Sequence, residues 1–242
     1  MEFLRVAGGE ATTPLAVLQG DDESLAPRAR GLVRLAVTLT SAPWAFTRET
    51  VKDAGGQGLD AEQIEAAIAV VSMFNYFTRV ADATGIEFDY QTPLPAFKPD
   101  LRQVAAPRPA RPVSSHGDVA CRRRPRDGLL QAAWDSWRTY VLDTDEPLSR
   151  RERRLLASVA AEEAADWEGA EGLNELESLG GSDDQLVGFA RKLSRQPWRM
   201  EAADLERLRA SGYFEEAMLH VISVVAHQNA DSRLVVGLGA TS

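Results

Sequence analysis

Three features of the sequence predict an all-α fold. Capping signals open long apolar segments, no segment shows sustained period-2 alternation between hairpin signals, and one helical pattern recurs 154 residues apart. The first opening is Asp60 with Gln63, a capping box that starts an unbroken run ending at Gly85. Ile64, Ile68, Val71, Phe74 and Thr78 share one face of it, and Val70 and Phe77 cover much of another, which predicts a buried helix. Leu129, Ala133, Trp137 and Val141, at spacing four, predict an amphipathic helix. Ser149 with Glu152 opens the next one, and Ser182 with Gln185 a third.

Residues 91–126 stand apart. They hold 7 of the chain's 12 prolines, and 8 Lys or Arg against 2 Asp. Proline removes backbone donors and blocks helix, so this reads as an extended linker between lobes at 1–90 and 127–242. Its arginine run at 122–126 is expected to be solvated and to lie on an acidic lobe.

The composition narrows the function classes. The chain has 242 residues, 44% hydrophobic and 26% charged, with a net charge of −9. That is globular composition, and an acidic chain lacks the basic face that nucleic acid requires. No run of about 18 apolar residues is present, which argues against a membrane span. The first residues lack the basic-then-apolar pattern of a signal peptide, so a cytoplasmic address is expected. The single cysteine, Cys121, excludes an internal disulfide and a cysteine-rich zinc site.

Residues 33–85 align without a gap on 187–239, with 13 of 53 positions identical against roughly four expected from composition. The shared positions include Pro43/Pro197, Trp44/Trp198, Gly58/Gly212, Asn75/Asn229, Arg79/Arg233 and Gly85/Gly239. Such spacing predicts a duplication. Pro-Trp suits a helix boundary, the glycine after each short second helix suits a left-handed position, and each arginine lies on the face of the asparagine four residues before it. The Asn/Arg pairs read first as packing and hydrogen-bonding groups, and second as lining a site.

The repeated unit, seen in LAVTLTSAP…FNYFTRVADATG and FARKLSRQP…HQNADSRLVVGLG, resembles the carboxymuconolactone decarboxylase superfamily, in its alkylhydroperoxidase-D-like, peroxidase-related branch. LSRRERRLL at 148–156 is similar to that family's entry into its active-site helix. The resemblance implies an all-helical, oligomeric fold, here a complete second lobe after a first lobe lacking its N-terminal helices. It also implies a CxxCxxxH helix preceded by a glutamate. In the second lobe the first cysteine position holds Asp166, the second Gly169, the histidine position Leu173 and the glutamate position Arg154. In the first lobe, MEFLRVAGG resembles the stretch just past that motif, so the thiol helix would lie upstream of residue 1. Two accounts stay open there: a chain that starts past the motif, or a truncated thiol peroxidase.

Thiol chemistry is therefore not expected of this chain, and Cys121 does not replace the motif. A non-thiol branch of the superfamily is thought to work by acid/base chemistry, which keeps an enzyme in view. Glu163, Asp166 and Glu168 are the expected proton donors and acceptors, with His227 orienting or shuttling a proton. Trp167, Trp198, His220, Asn229, Asp231 and Arg233 are the expected pocket. At the first-lobe positions matching His220, His227 and Asp231 stand Ala66, Met73 and Phe77, so the second lobe carries polar groups where the first is apolar. His220 and His227 lie about 10 Å apart along one helix, too far to share a metal. The expectation is a cofactor-free lyase, isomerase or cyclase acting on a small carbonyl or carboxylate compound, with no cofactor and no metal. The other reading is a non-catalytic scaffold. The expected partners are a small-molecule substrate and further copies of the chain, as a dimer, trimer or pseudo-hexamer, with no nucleic acid and no membrane.

Overall fold

The structure is a computed structural model that describes residues 16, 17, 19–86, 107–110, 122–173 and 181–241. Cys121 and most of the proline-rich segment lie outside the described residues. The described residues form nine α-helices and no strand. They are α1 (Pro27–Ser41), α2 (Arg48–Gly56), α3 (Ala61–Thr84), α4 (Gly128–Leu142), α5 (Arg150–Glu163), α6 (Trp167–Leu173), α7 (Gly181–Arg195), α8 (Ala202–Ala210) and α9 (Glu215–Ala240).

Local chemistry sets the ends of these helices. Asp60 accepts from the Gln63 amide at 2.9 Å while the Gln63 side chain accepts from the Asp60 amide at 3.2 Å, the reciprocal box expected at the start of α3. Ser149 and Glu152 do the same for α5. Gly58 and Gly212 follow α2 and α8 at φ +92° and +97°, a conformation that favours glycine. Gly85 closes α3 at φ +65°, whereas α9 runs through Gly239 to Ala240. The bounds of α1, the Pro43–Ala45 turn and α2, moved by 154 residues, coincide with those of α7, the Pro197–Arg199 turn and α8; α3 and α9 start in register and α9 ends two residues later.

The long helices α3 and α9 cross antiparallel. Ile68 meets Gly237 and the Tyr76 hydroxyl lies 3.3 Å from Ser223 Oγ, so early residues of one helix face late residues of the other. Gly237 is needed there, because a Cβ would stand 2.7 Å from Ile68 Cγ2. Two hydrophobic clusters flank the crossing, one with Leu156, Leu186, Leu193 and Ile222, the other with Leu35, Leu39, Ile68 and Leu234. Helix α9 contributes to both.

The crossing carries both Asn/Arg pairs. Arg79 Nη1 donates to the Asn75 side chain at 2.7 Å and to its carbonyl at 3.0 Å, and Nη2 reaches across to the Ser194 carbonyl at 3.2 Å. Arg233 repeats this with Asn229 at 3.0 and 2.9 Å and with the Thr40 carbonyl at 2.8 Å. Asn75 Nδ2 donates to Thr40 Oγ1 at 3.0 Å, and Asn229 Nδ2 to Ser194 Oγ at 2.8 Å. Each helix therefore clamps the end of the opposite short helix, Arg79 holding α7 and Arg233 holding α1.

One expectation is corrected. Helix α3 is not buried all round: Val70, Phe74 and Phe77 are 56%, 61% and 54% exposed. Their counterparts on α9 are Val224, Gln228 and Asp231, all buried. The reason is cover, since α4, α5 and residues 122–124 lie over α9 and no described element covers this face of α3. By length and composition α3 is apolar enough to cross a membrane, with a mean hydropathy of 1.2 over its best window, and 28% of that window is buried inside the fold.

Candidate active site

Asp166 lies between two helices. Helix α5 ends at Glu163, Ala165 takes φ +55°, and α6 starts at Trp167. The break turns the Asp166 side chain back over α6, where Oδ1 accepts from the Gly169 amide at 3.1 Å, the bond of a helix N-cap. Glycine is required at 169 because a Cβ would collide with this carboxylate. Oδ2 accepts from Ser232 Oγ on α9 at 2.8 Å, and Gln228 Nε2 donates to that serine at 3.1 Å.

The arginine segment closes over this carboxylate. Arg122 spans it, with Nε 3.1 Å from Oδ1 and Nη2 3.2 Å from Oδ2, and the same Nη2 lies 4.0 Å from Asp231 Oδ2. Arg124 Nη1 donates to Asp231 Oδ1 at 2.5 Å, an oxygen that also accepts from Trp134 Nε1 at 2.9 Å. Between them Arg123 pairs with Glu65 at 2.5 Å and its amide donates to the Val235 carbonyl at 3.1 Å. The run expected to be solvated is thus a docked strap. Side-chain exposure is 22% at Arg122, 16% at Arg123 and 33% at Arg124, and Pro125 is buried.

Two carboxylates joined by one guanidinium titrate in opposite directions. Burial raises Asp166 above the usual carboxylate range, and Arg122, Ser232 and the Gly169 amide only partly offset it. Burial acts on Asp231 too, but there Arg124, His227 and the hydrogen bonds from Arg124 and Trp134 outweigh it and hold the carboxyl low. His227, one turn before Asp231, is fully buried with no hydrogen-bond partner on either ring nitrogen. Its ring stands edge-on to Trp137 at 4.5 Å and 88°, with Trp134 at 6.3 Å. Burial lowers its pKa to about 4, Asp231 pulling it up and Arg138 and Arg124 pushing it down further. The imidazole is neutral at pH 7.

The remaining candidates fall elsewhere. Glu163 is buried among Arg195, Arg108 at 3.5 Å and Arg191 at 3.6 Å, bonded to Arg195 through both oxygens. Three guanidiniums therefore surround its carboxylate. Glu168 is exposed. Trp167 is half-buried beneath Arg108, whose guanidinium lies 5.7 Å from its ring centre. Trp198 is 52% exposed. His220 Nδ1 lies 3.0 Å from Arg153 Nη2, two turns from His227. Asn229 and Arg233 belong to the helix crossing. Of the expected catalytic and pocket residues, the structure brings Asp166, His227 and Asp231 to one region and disperses the others.

Sequence reasoning missed Arg122, Arg124, Trp134 and Ser232. The two arginines were signalled only by a mismatch, a basic run in a chain whose lobes are acidic, and Trp134 and Ser232 carried no signal of their own. A cavity of about 480 Å³ lies between α1 and α2, lined by Leu35, Thr38 and Asp53 among others, and a smaller one of about 170 Å³ lies at the matching positions between α7 and α8. Neither is lined by the residues of the Asp166 region. Among the described residues no group of three or more His, Cys, Asp or Glu is placed to hold a metal ion. Comparison with known protein families, with curated proteins and with solved structures finds no match to this chain.

Proposed function

We propose that this chain is a duplicated, thiol-free relative of the carboxymuconolactone decarboxylase superfamily that works as a cofactor-free acid/base enzyme on a small carbonyl or carboxylate compound. The observation that carries this reading is the split pair, Asp166 pushed up and Asp231 held down around the shared Arg122. Two carboxyls driven apart by their surroundings divide the labour of acid and base. Asp166 is the group that takes up and returns a proton. Asp231, kept ionised, fixes Arg122, Arg124 and Trp134. Arg122 is the group that turns to a substrate carboxylate, since guanidinium binds carboxylate in two-point fashion and its side chain is partly open to solvent. Neutral His227 supplies a polar atom in an aromatic wall. The repeat correspondence and the Asn/Arg clamps support the duplication, and make one chain a pseudo-dimer.

Incubation in D₂O with a panel of small 2-oxo, 3-oxo and unsaturated lactone carboxylates tests the reading. The expected result is deuterium entering the carbon next to the carbonyl, or CO₂ release, abolished in Asp166→Asn. Turnover that survives Asp166→Asn would contradict it. Peroxide consumption is expected to be negligible.

A second reading, a non-catalytic self-associating scaffold, is favoured by one observation: Arg122 and Arg124 occupy the two carboxylates, and Asp166 already accepts from Arg122, Ser232 and the Gly169 amide. On that reading Asp166→Asn and Arg122→Ala change thermal stability, and no panel compound alters either.

A further inference from the structure

We propose that the crossing of α3 and α9 holds one small monovalent anion between Arg79 and Arg233. Both guanidiniums are almost wholly buried, each residue 4% exposed. Their Nη1 and Nη2 atoms are used up on the asparagines and on the Ser194 and Thr40 carbonyls. Those acceptors are neutral. The Nε atoms of both arginines are buried donors with no partner, and they are the matching atom at positions 154 residues apart. Arg122, Arg123 and Arg138 also leave a buried Nε without a hydrogen-bond partner among the described residues, but only Arg79 and Arg233 do so at matching positions on one crossing.

Charge makes the same point. No carboxylate pairs with either guanidinium among the described ion pairs. Asp82 reaches Arg79 only at a distance, and the position matching Asp82 on α9 is Val236. Arg79 and Arg233 are linked through Ser194 and Asn229 and again through Thr40 and Asn75, so two like charges lie at one crossing in a low-dielectric interior. An unpaired buried charge is expensive, and two adjacent ones more so, unless an anion lies between them. Because both Nε atoms are buried, the anion is a small monovalent one, a halide or a carboxylate the size of formate, accepting from the two Nε–H groups. This inference uses the repeat correspondence and is independent of whether Asp166 turns over a substrate.

Bromide is the probe. Crystals of the full chain grown in sodium bromide are expected to show one anomalous peak within hydrogen-bond reach of both Nε atoms. In solution, melting temperature at fixed ionic strength is expected to be higher in bromide or chloride than in gluconate. Above its dissociation constant each tenfold rise in halide raises the folding constant about tenfold. Arg79→Gln and Arg233→Gln should each remove the halide dependence. An Arg–Arg stack bridged only by water, with no peak and equal melting in halide and gluconate, would overturn the proposal. The crystal measurement needs no variant, so it stands even if a substituted chain fails to fold.

Discussion

Helices α3 and α9 share a crossing and differ in everything outside it. The inner faces match atom for atom: Asn75 and Asn229 tether the ends of α1 and α7, and Arg79 and Arg233 reach across to the opposite partner. The outer faces have parted. Val70 is 56% exposed and Val224 is 0% exposed, although both are valine at matching positions. What separates them is the cover, because α4, α5 and the arginine strap lie on α9. Under that cover the apolar Met73, Phe74 and Phe77 of one helix stand against His227, Gln228 and Asp231 of the other. Burial, then, was not gained by making the face apolar. The polar face is the buried one, held by partners delivered from a distant segment, and there burial displaces the pKa values of Asp166 and His227.

The comparison can be broken most severely at Asp231. Asp231→Ala strands Arg124 and an indole N–H, so chemical denaturation should show a loss of about 3 kcal/mol, the low end for a broken buried pair because Arg124 is partly wet. Phe77→Ala, its counterpart on α3, should change stability by less than about 1 kcal/mol, since the ring is exposed. Equal effects would mean that the strap is not docked in solution.

His227 gives the next effect. Its pKa falls from 6.5 to about 4 on folding, so the unfolded chain binds more protons in that window. Stability therefore falls with acid, by about 2 kcal/mol between pH 7 and pH 5 from this group alone. His227→Gln should flatten that part of a denaturation profile, whereas Met73→Leu should leave it unchanged. Asp166 works in the opposite sense: with its pKa raised, the folded chain binds more protons above the ordinary carboxylate range, and stability drops as pH climbs through the raised value.

A smaller effect sharpens the crossing itself. Gly237→Ala brings a methyl against Ile68 and should cost about 1–2 kcal/mol by thermal melting. At the matching position Ala83 already packs in the core, and Ala83→Gly should cost about 1 kcal/mol through helix propensity. Similar penalties from opposite substitutions would show that the crossing is not symmetric in its spacing.

Much of this frame was legible in the sequence. The capping pair Asp60/Gln63 and the glycines 58 and 212 carry their geometry locally, and the offset of 154 residues placed the helix bounds of one half on the other. The role of Asn75 and Arg79 was legible as packing, because spacing of four fixes a shared face. The exposure of Phe74 was not, since periodicity reports which face is apolar and not what covers it. Nor was the partner of Asp166 legible. Arg122 lies 44 residues away in a segment whose local signals read as linker, and only the tertiary fold brings the two together. On one continuous helix Glu163 and Asp166 at i,i+3 would share a face, and Glu168 would extend the acidic cluster, but the break at Ala165 leaves Glu163 among arginines and Glu168 in solvent.

Arg122 joins two carboxyls with divided titration. Carbon-detected NMR of the Asp166 and Asp231 Cγ signals across a pH series tests it without a substrate. Asp166 is expected to titrate above an ordinary aspartate and Asp231 below one. Two carboxyls titrating together at the ordinary value, or in the reverse order, would contradict it.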